Sequence, residues 1–238
     1  MLLKLLKYDF LYSKNAFLGM GIMFLIFAVV FGLYQNPDQF GFGQIGVMVF
    51  FGIVFGASTF GSIVFAVIIV ANNFHRNLLS EHGYLMLTLP VRKEFLLLSK
   101  VLISIFWYNF MILVAVGFFF IVALVSGELA NIQDWAEFLT NVLSINWIQI
   151  YLDINLPAFS GIALLFFILT LARTKLVIKF NAFIAWVIGF VMFIVSIWIA
   201  NSISEAFGAA GVRIWFISMA VGLYITIIYL LKNKLELE

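Results

Sequence analysis

Six apolar runs, each about as long as a bilayer crossing, divide this chain, and they leave its backbone very little choice. They cover residues 16–34, 45–71, 101–126, 156–172, 180–200 and 214–231. Roughly 20 apolar residues suffice to cross ~30 Å of hydrocarbon at 1.5 Å per residue. In lipid no water is present to pair with free peptide groups, so a single segment must satisfy its own backbone as a helix. Composition agrees: 10% of the residues are charged and 65% are hydrophobic, against about 25% charged in a soluble domain. The fold class expected is all-α integral membrane, one domain of six transmembrane helices over residues 1–238.

The charges orient the runs. Tracing the chain back and forth from a cytoplasmic N-terminus puts twelve of the 13 basic residues on the cytoplasmic side. These are Lys4, Lys7, Lys14, Arg76, Arg92, Lys93, Lys100, Arg173, Lys175, Lys179, Lys232 and Lys234. Only Arg213 falls outside, with Asp38, Glu128, Asp134, Glu137, Asp153 and Glu205. Such a split is the positive-inside bias of a multi-pass protein of the cell membrane, and it predicts that both termini are cytoplasmic. Lys4 and Lys7 before an apolar run resemble a signal peptide. No small-residue cleavage site follows, however, and the run is predicted to be a retained span.

The connections differ in character. Residues 1–14 place Lys4, Lys7 and Lys14 on one helical face and read as a helix lying on the cytoplasmic leaflet, with a simple basic flank of the first span as the alternative. Residues 128–147 space Leu129, Ile132, Trp135, Leu139, Val142 and Leu143 as an amphipathic helix on the outer surface would. Residues 202–212 are small and Gly/Ala-rich, which predicts a tight outer hairpin or a short re-entrant piece. Asn155 and Pro157 read as the cap and first turn of the fourth span.

Several chemistries lack their residues. The chain has no Cys, so disulfide and thiolate chemistry are excluded. Gly41, Gly43 and Gly46 match G-x-G-x-x-G, but in a loop entering a span rather than in a strand–helix turn, so they read as loop glycines. No G-x-x-x-x-G-K-[ST] occurs, and no cofactor is expected on this chain. His75, Glu81 and His82 lack the spacing of a zinc helix and read as polar surface groups. The six apolar runs contain no Asp, Glu, Lys, Arg or His. That argues against a membrane enzyme and against ion-coupled transport, which usually places ionisable groups at membrane depth. The net charge of +2 gives no reason to expect nucleic acid.

The longest inner connection, 72–100, is also the richest in charge. Gly83 can end one short helical piece and Pro90 can begin another. Between them Glu81, Tyr84, Leu85, Met86 and Leu87 mix apolar and acidic groups in a way that suits docking to a protein. The run Ser80-Glu81, Gly83-Tyr84-Leu85, Thr88-Leu89-Pro90-Val91, Leu97 and Ser99-Lys100 resembles the first cytoplasmic loop of ABC-2 type exporter permeases. The six-span layout with an N-terminal surface helix resembles that family too. Among its members, short permeases without a large outer domain resemble the lantibiotic-immunity and cytolytic-peptide exporters of Gram-positive bacteria.

The resemblance implies a non-catalytic transmembrane subunit. Glu81, Gly83, Tyr84, Leu85, Met86 and Leu87 would form the coupling helix between spans two and three and dock into a separate ABC ATP-binding subunit. ATP and magnesium would be bound by that partner. Two permeases, as a homodimer or a heterodimer, would alternate between inward- and outward-facing states and carry amphipathic peptides outward. Small hydrophobic drugs or lipids are the alternative cargo, and a non-transporting membrane scaffold is the remaining alternative. Gly52, Gly56 and Gly61 in the second span are candidates for close helix packing or for the transport pathway.

Overall fold

The computed structural model describes residues 2–34, 44–79, 93–125, 140, 144, 146–174 and 182–233, and nearly all of these are helical. Helix α1 runs Leu2–Tyr34 and α2 runs Gln44–Phe74, continuing as a π-turn over His75–Leu79. Helix α3 runs Lys93–Val125, α4 Trp147–Leu171 and α5 Ala182–Asn233. All five are long and apolar enough to cross a membrane. The predicted segments over 35–43, 80–92 and 126–139, and thus most of the predicted amphipathic helix 128–147, lie outside the described residues.

The helices extend past the apolar runs. Residues 1–14 do not form a separate surface helix, because α1 passes from Leu2 to Tyr34 without interruption. No Gly or Pro occurs before Phe17 to break it. At about 1.5 Å per residue, its 33 residues span about 50 Å, well beyond the ~30 Å of hydrocarbon. Helix α4 likewise begins at Trp147 rather than at Asn155. Asn155 is not a cap: its Nδ2 donates to the Tyr151 carbonyl at 3.0 Å, one turn back inside the helix. Pro157 sits in the helix interior and has no N–H to give to the carbonyl four residues earlier.

The runs 180–200 and 214–231 form a single long element that reverses at Gly208, where φ is 64° and ψ −162°. An L-residue rarely adopts that φ, and glycine does so without steric cost. Side chains across the reversal touch. Ser196 Oγ donates to Met219 Sδ at 3.0 Å, and Trp215 Nε1 donates to Ser196 Oγ at 3.4 Å. Residues 196 and 219 would be about 35 Å apart in a straight helix, so the two arms of α5 lie against each other. The turn falls within the predicted hairpin 202–212.

The described residues fall into two compact units. The first comprises Met1–Tyr12, Ile69–Ile105 and Trp147–Glu238. Its core joins Phe74, Leu79, Leu96, Leu97, Val101, Phe166, Ile227 and Leu231. A second cluster, of Ala163, Leu164, Ile168, Ala185 and Leu223, seats α4 against both arms of α5. The second unit comprises Ser13–Ile68 and Phe106–Asn146. There Phe55 stacks on Phe118 at 4.6 Å over a core of Ala28, Phe118 and Val122. Phe17 stacks on Trp107 at 4.7 Å, and Trp107 Nε1 donates to Ser13 Oγ at 2.6 Å.

Beside its apolar core, the structure buries several polar groups and exposes many large apolar ones. Asp9, Ser13, Asn73, Ser99, Lys100 and Ser104 are buried, whereas Leu3 is 80% exposed, Phe60 71% and Ile148 74%. Charged groups are rarely buried unless paired, and apolar patches of this extent are not left facing water. Both observations fit helices that could lie in lipid.

Candidate functional site: the base of segment 80–92

The chain leaves α2 at Leu79 and re-enters α3 at Lys93, and both ends of this gap are rooted in one cluster. Phe74 and Leu79 on one side and Leu96, Leu97 and Val101 on the other share the core of the first unit with Phe166, Ile227 and Leu231. Phe74 stacks on Phe166 of α4 with ring centroids 4.3 Å apart.

Beside this apolar core sits a buried polar group. Asp9 of α1 pairs with Lys100 of α3, and both side chains are almost wholly buried. Lys100 Nζ also lies 3.4 Å from Asn73 Oδ1 of α2, and the Ser99 hydroxyl lies 3.3 Å from Asp9 Oδ2. Three helices thus meet at one ion pair. Such a pair is tolerated in low dielectric only when each charge is matched and hydrogen-bonded. Among the described residues no buried side-chain nitrogen or oxygen lacks a hydrogen-bond partner. The cluster therefore holds helices in register, and it does not present an unmatched acid or base to a substrate.

A more exposed rim ties in the remaining helices. Lys232 near the end of α5 pairs with Glu94 at the start of α3. Lys93 Nζ donates to the Leu231 carbonyl at 2.9 Å, a cation at a helix C-terminus where it complements the helix dipole. The Tyr224 hydroxyl donates to the Glu94 carbonyl at 2.9 Å. Arg173, just beyond α4, donates to His75 Nε2 at 3.0 Å. Partial burial and the adjacent Arg173 charge hold the His75 imidazole below its usual pKa, in keeping with a ring nitrogen that accepts. The Arg76 guanidinium lies over the Tyr12 ring, 5.7 Å from its centroid.

An ion pair joins the start of α4 to α5 just beyond its reversal. Arg213 donates twice to Asp153, Nε at 2.8 Å and Nη2 at 3.0 Å. Roughly 20 residues separate Asp153 from Arg173 along the chain, and about as many separate Arg213 from Lys232, so the two polar levels are ~30 Å apart. That spacing equals the hydrocarbon thickness of a bilayer. Each of these ion pairs joins residues that the charge pattern assigns to the same side.

The sequence-predicted coupling residues Glu81, Gly83, Tyr84, Leu85, Met86 and Leu87 lie outside the described residues. Gly52, Gly56 and Gly61 are described. Among the described residues, a methyl group added at any of them would meet nothing within 4 Å. Close approach occurs instead at Gly32, where an added Cβ would stand 2.8 Å from Val125 Cβ and 3.3 Å from the Val122 carbonyl. Gly189 packs closer still, against the Ile168 side chain, and at Gly21 an added Cβ would stand 3.3 Å from Phe110 and Val114. The pairing of Asp9 with Lys100 was not foreseen from the sequence. Its signal is a lone acid among Lys4, Lys7 and Lys14, but nothing in a single chain says which distant cation it meets.

No protein-family model, no curated protein and no solved structure matches the chain.

Proposed function

We propose that this chain is a multi-pass permease of the cell membrane, with six spans and both termini cytoplasmic, and that it serves as the transmembrane subunit of an ATP-driven exporter of the ABC-2 type. The observation that carries the reading is the construction of the base of segment 80–92. α1, α2, α3, α4 and α5 all place side chains in the apolar and polar cluster in which its two flanks, the end of α2 and the start of α3, are held. A force applied to this segment from the cytoplasm would reach every helix of that unit at once. A docking site for an external motor needs that property, and a loop that merely connects two spans does not.

In this scheme the chain binds no nucleotide. The separate ATP-binding subunit holds ATP and magnesium, and Glu81, Tyr84 and Leu85–Leu87 dock into it while Gly83 permits a bend. Two permease copies would enclose the pathway, with the open face of α2 at Gly52, Gly56 and Gly61 free to meet the second copy. The cargo is an amphipathic peptide, because the groups available are apolar and aromatic. Truncating an aromatic anchor at an interface costs about 2 kcal/mol or more, and truncating a rim charge costs less. Tyr84→Ala should therefore reduce copurification of the ATPase more than Arg92→Ala does, with unchanged insertion of the permease. Equal retention of the ATPase by both variants would remove the docking role of Tyr84.

A further inference from the structure

The N-terminal turns of α1 carry a face that the exporter reading does not use. Lys4, Lys7, Tyr8, Leu11 and Tyr12 are exposed, with Tyr8 70% and Tyr12 48% accessible. Lys4, Tyr8 and Tyr12 follow one another at intervals of four, so they form one line on the helix surface. Arg76 from the end of α2 lies over the Tyr12 ring, 5.7 Å from its centroid, and extends the line with a third cation. The one acid of α1, Asp9, points to the opposite side, where it is buried against Lys100. The exposed face of these turns therefore presents cations, phenols and apolar groups without an opposing carboxylate of its own helix. Leu3 and Leu11 flank the cations and are exposed as well.

We propose that Lys4, Lys7, Tyr8, Tyr12 and Arg76 form a binding surface for the headgroup of an anionic membrane phospholipid. The inference rests on the reading of this chain as membrane-spanning with its N-terminus at the cytoplasmic leaflet. Phosphate accepts hydrogen bonds from ammonium, guanidinium and phenol groups, and acyl chains fit the apolar residues beside them. The stacked Arg76 is held between two helices, so binding there costs less side-chain entropy than it would at a mobile lysine. A lipid bound in this place would bridge α1 and α2 from outside, on the side opposite the Asp9–Lys100 pair.

The test uses the full-length protein purified in detergent and exposed to equal amounts of phosphatidylglycerol and phosphatidylcholine with identical acyl chains. Native mass spectrometry then counts the lipids retained. Wild type should retain phosphatidylglycerol in excess, and glycerol phosphate added in solution should not displace it. The variant K4Q/K7Q/R76Q should lower the ratio about fivefold or more, an effect that even one basic residue at an anionic bilayer surface can produce. A control, K232Q, lies in the rim and should leave the ratio unchanged. Equal ratios in wild type and the triple variant would overturn the proposal, as would an equal loss in K232Q. Displacement by glycerol phosphate would assign the site to a soluble anion and also overturn it. Alkaline carbonate extraction of native membranes separates this failure from that of the underlying reading. A chain that stays in the membrane yet has no lipid preference defeats only the lipid site, and a chain that washes off defeats both.

Discussion

Lys100→Met leaves the Asp9 carboxylate buried without its counter-charge, and the packing around the pair sets the size of the effect. Asp9 is 4% exposed and Lys100 3%, so neither partner can turn to water without moving a helix. Removing one member of a buried pair costs about 3–5 kcal/mol, because the remaining charge stays desolvated. Asp9→Leu should cost a similar amount for the converse reason. The double variant removes both charges. Ser99 keeps its 2.9 Å contact with the Leu96 carbonyl, so what remains is mainly the weakened contact of Asn73, about 1 kcal/mol. The double variant should then lie well above either single variant, with a coupling energy of about 3 kcal/mol or more. For a chain of this size each kcal/mol shifts the midpoint by about 2–4 °C. Thermal unfolding in detergent micelles, followed by tryptophan fluorescence, should place the single variants about 6–20 °C below wild type and the double variant within a few degrees of it. If the two single losses simply add in the double variant, Asp9 and Lys100 do not act as a pair and the locked base is refuted.

Gly32→Ala should destabilise by about 1–3 kcal/mol, the usual cost of overpacking, because its Cβ would stand 2.8 Å from Val125 Cβ. Gly56→Ala, with open space around it, should leave the thermal midpoint of a monomer unchanged and lower the dimer fraction in crosslinking if a second copy packs there. For His75, the folded-state pKa is lowered by burial and by Arg173, so the unfolded chain binds more protons. Its contribution to stability is fully present above about pH 6.5 and is lost as pH falls through the folded value. A pH series of thermal midpoints should steepen below pH 6.5 for wild type and flatten for His75→Gln. Cysteine introduced at Gln39 or Gln133 should react with an impermeant thiol reagent from outside whole cells, and cysteine at Ser80 should not. The reverse pattern would invert the topology.

Much of this fold is legible in the sequence because lipid imposes a one-dimensional rule. Run length fixes where helices can cross, and the apolar runs lie within or almost coincide with the helices that contain them. The ends were harder. Apolarity marks the hydrocarbon, whereas a helix stops where its backbone is interrupted, so α1 absorbed residues 1–14 and α4 began eight residues before Asn155. Gly208 could be anticipated only as part of a Gly/Ala-rich turn, since which residue takes positive φ depends on how the two arms pack. The spacing of Gly52, Gly56 and Gly61 says nothing of what stands opposite them, and among the described residues the close contacts include those of Gly32, Gly189 and Gly21. Most partners of the polar base lie about 90–140 residues apart along the chain, and Asn73 and Lys100 lie 27 apart, distances over which local pattern carries no information. Charge carries some of it: Asp153 and Arg213, assigned to the same side by their positions, are in contact.

The central claim is that a separate ATPase drives this chain through segment 80–92. Its most direct test is affinity purification of the tagged chain from its native membranes, followed by reconstitution of whatever copurifies. An ABC ATP-binding subunit should accompany the wild-type chain in stoichiometric amount, and its hydrolysis should rise when amphipathic peptide is added to the proteoliposomes. Both should fall when Glu81, Tyr84 and Leu85 are replaced together by alanine. Full assembly and stimulated hydrolysis by that triple variant, or nucleotide binding by the permease freed of any ATPase, would contradict it.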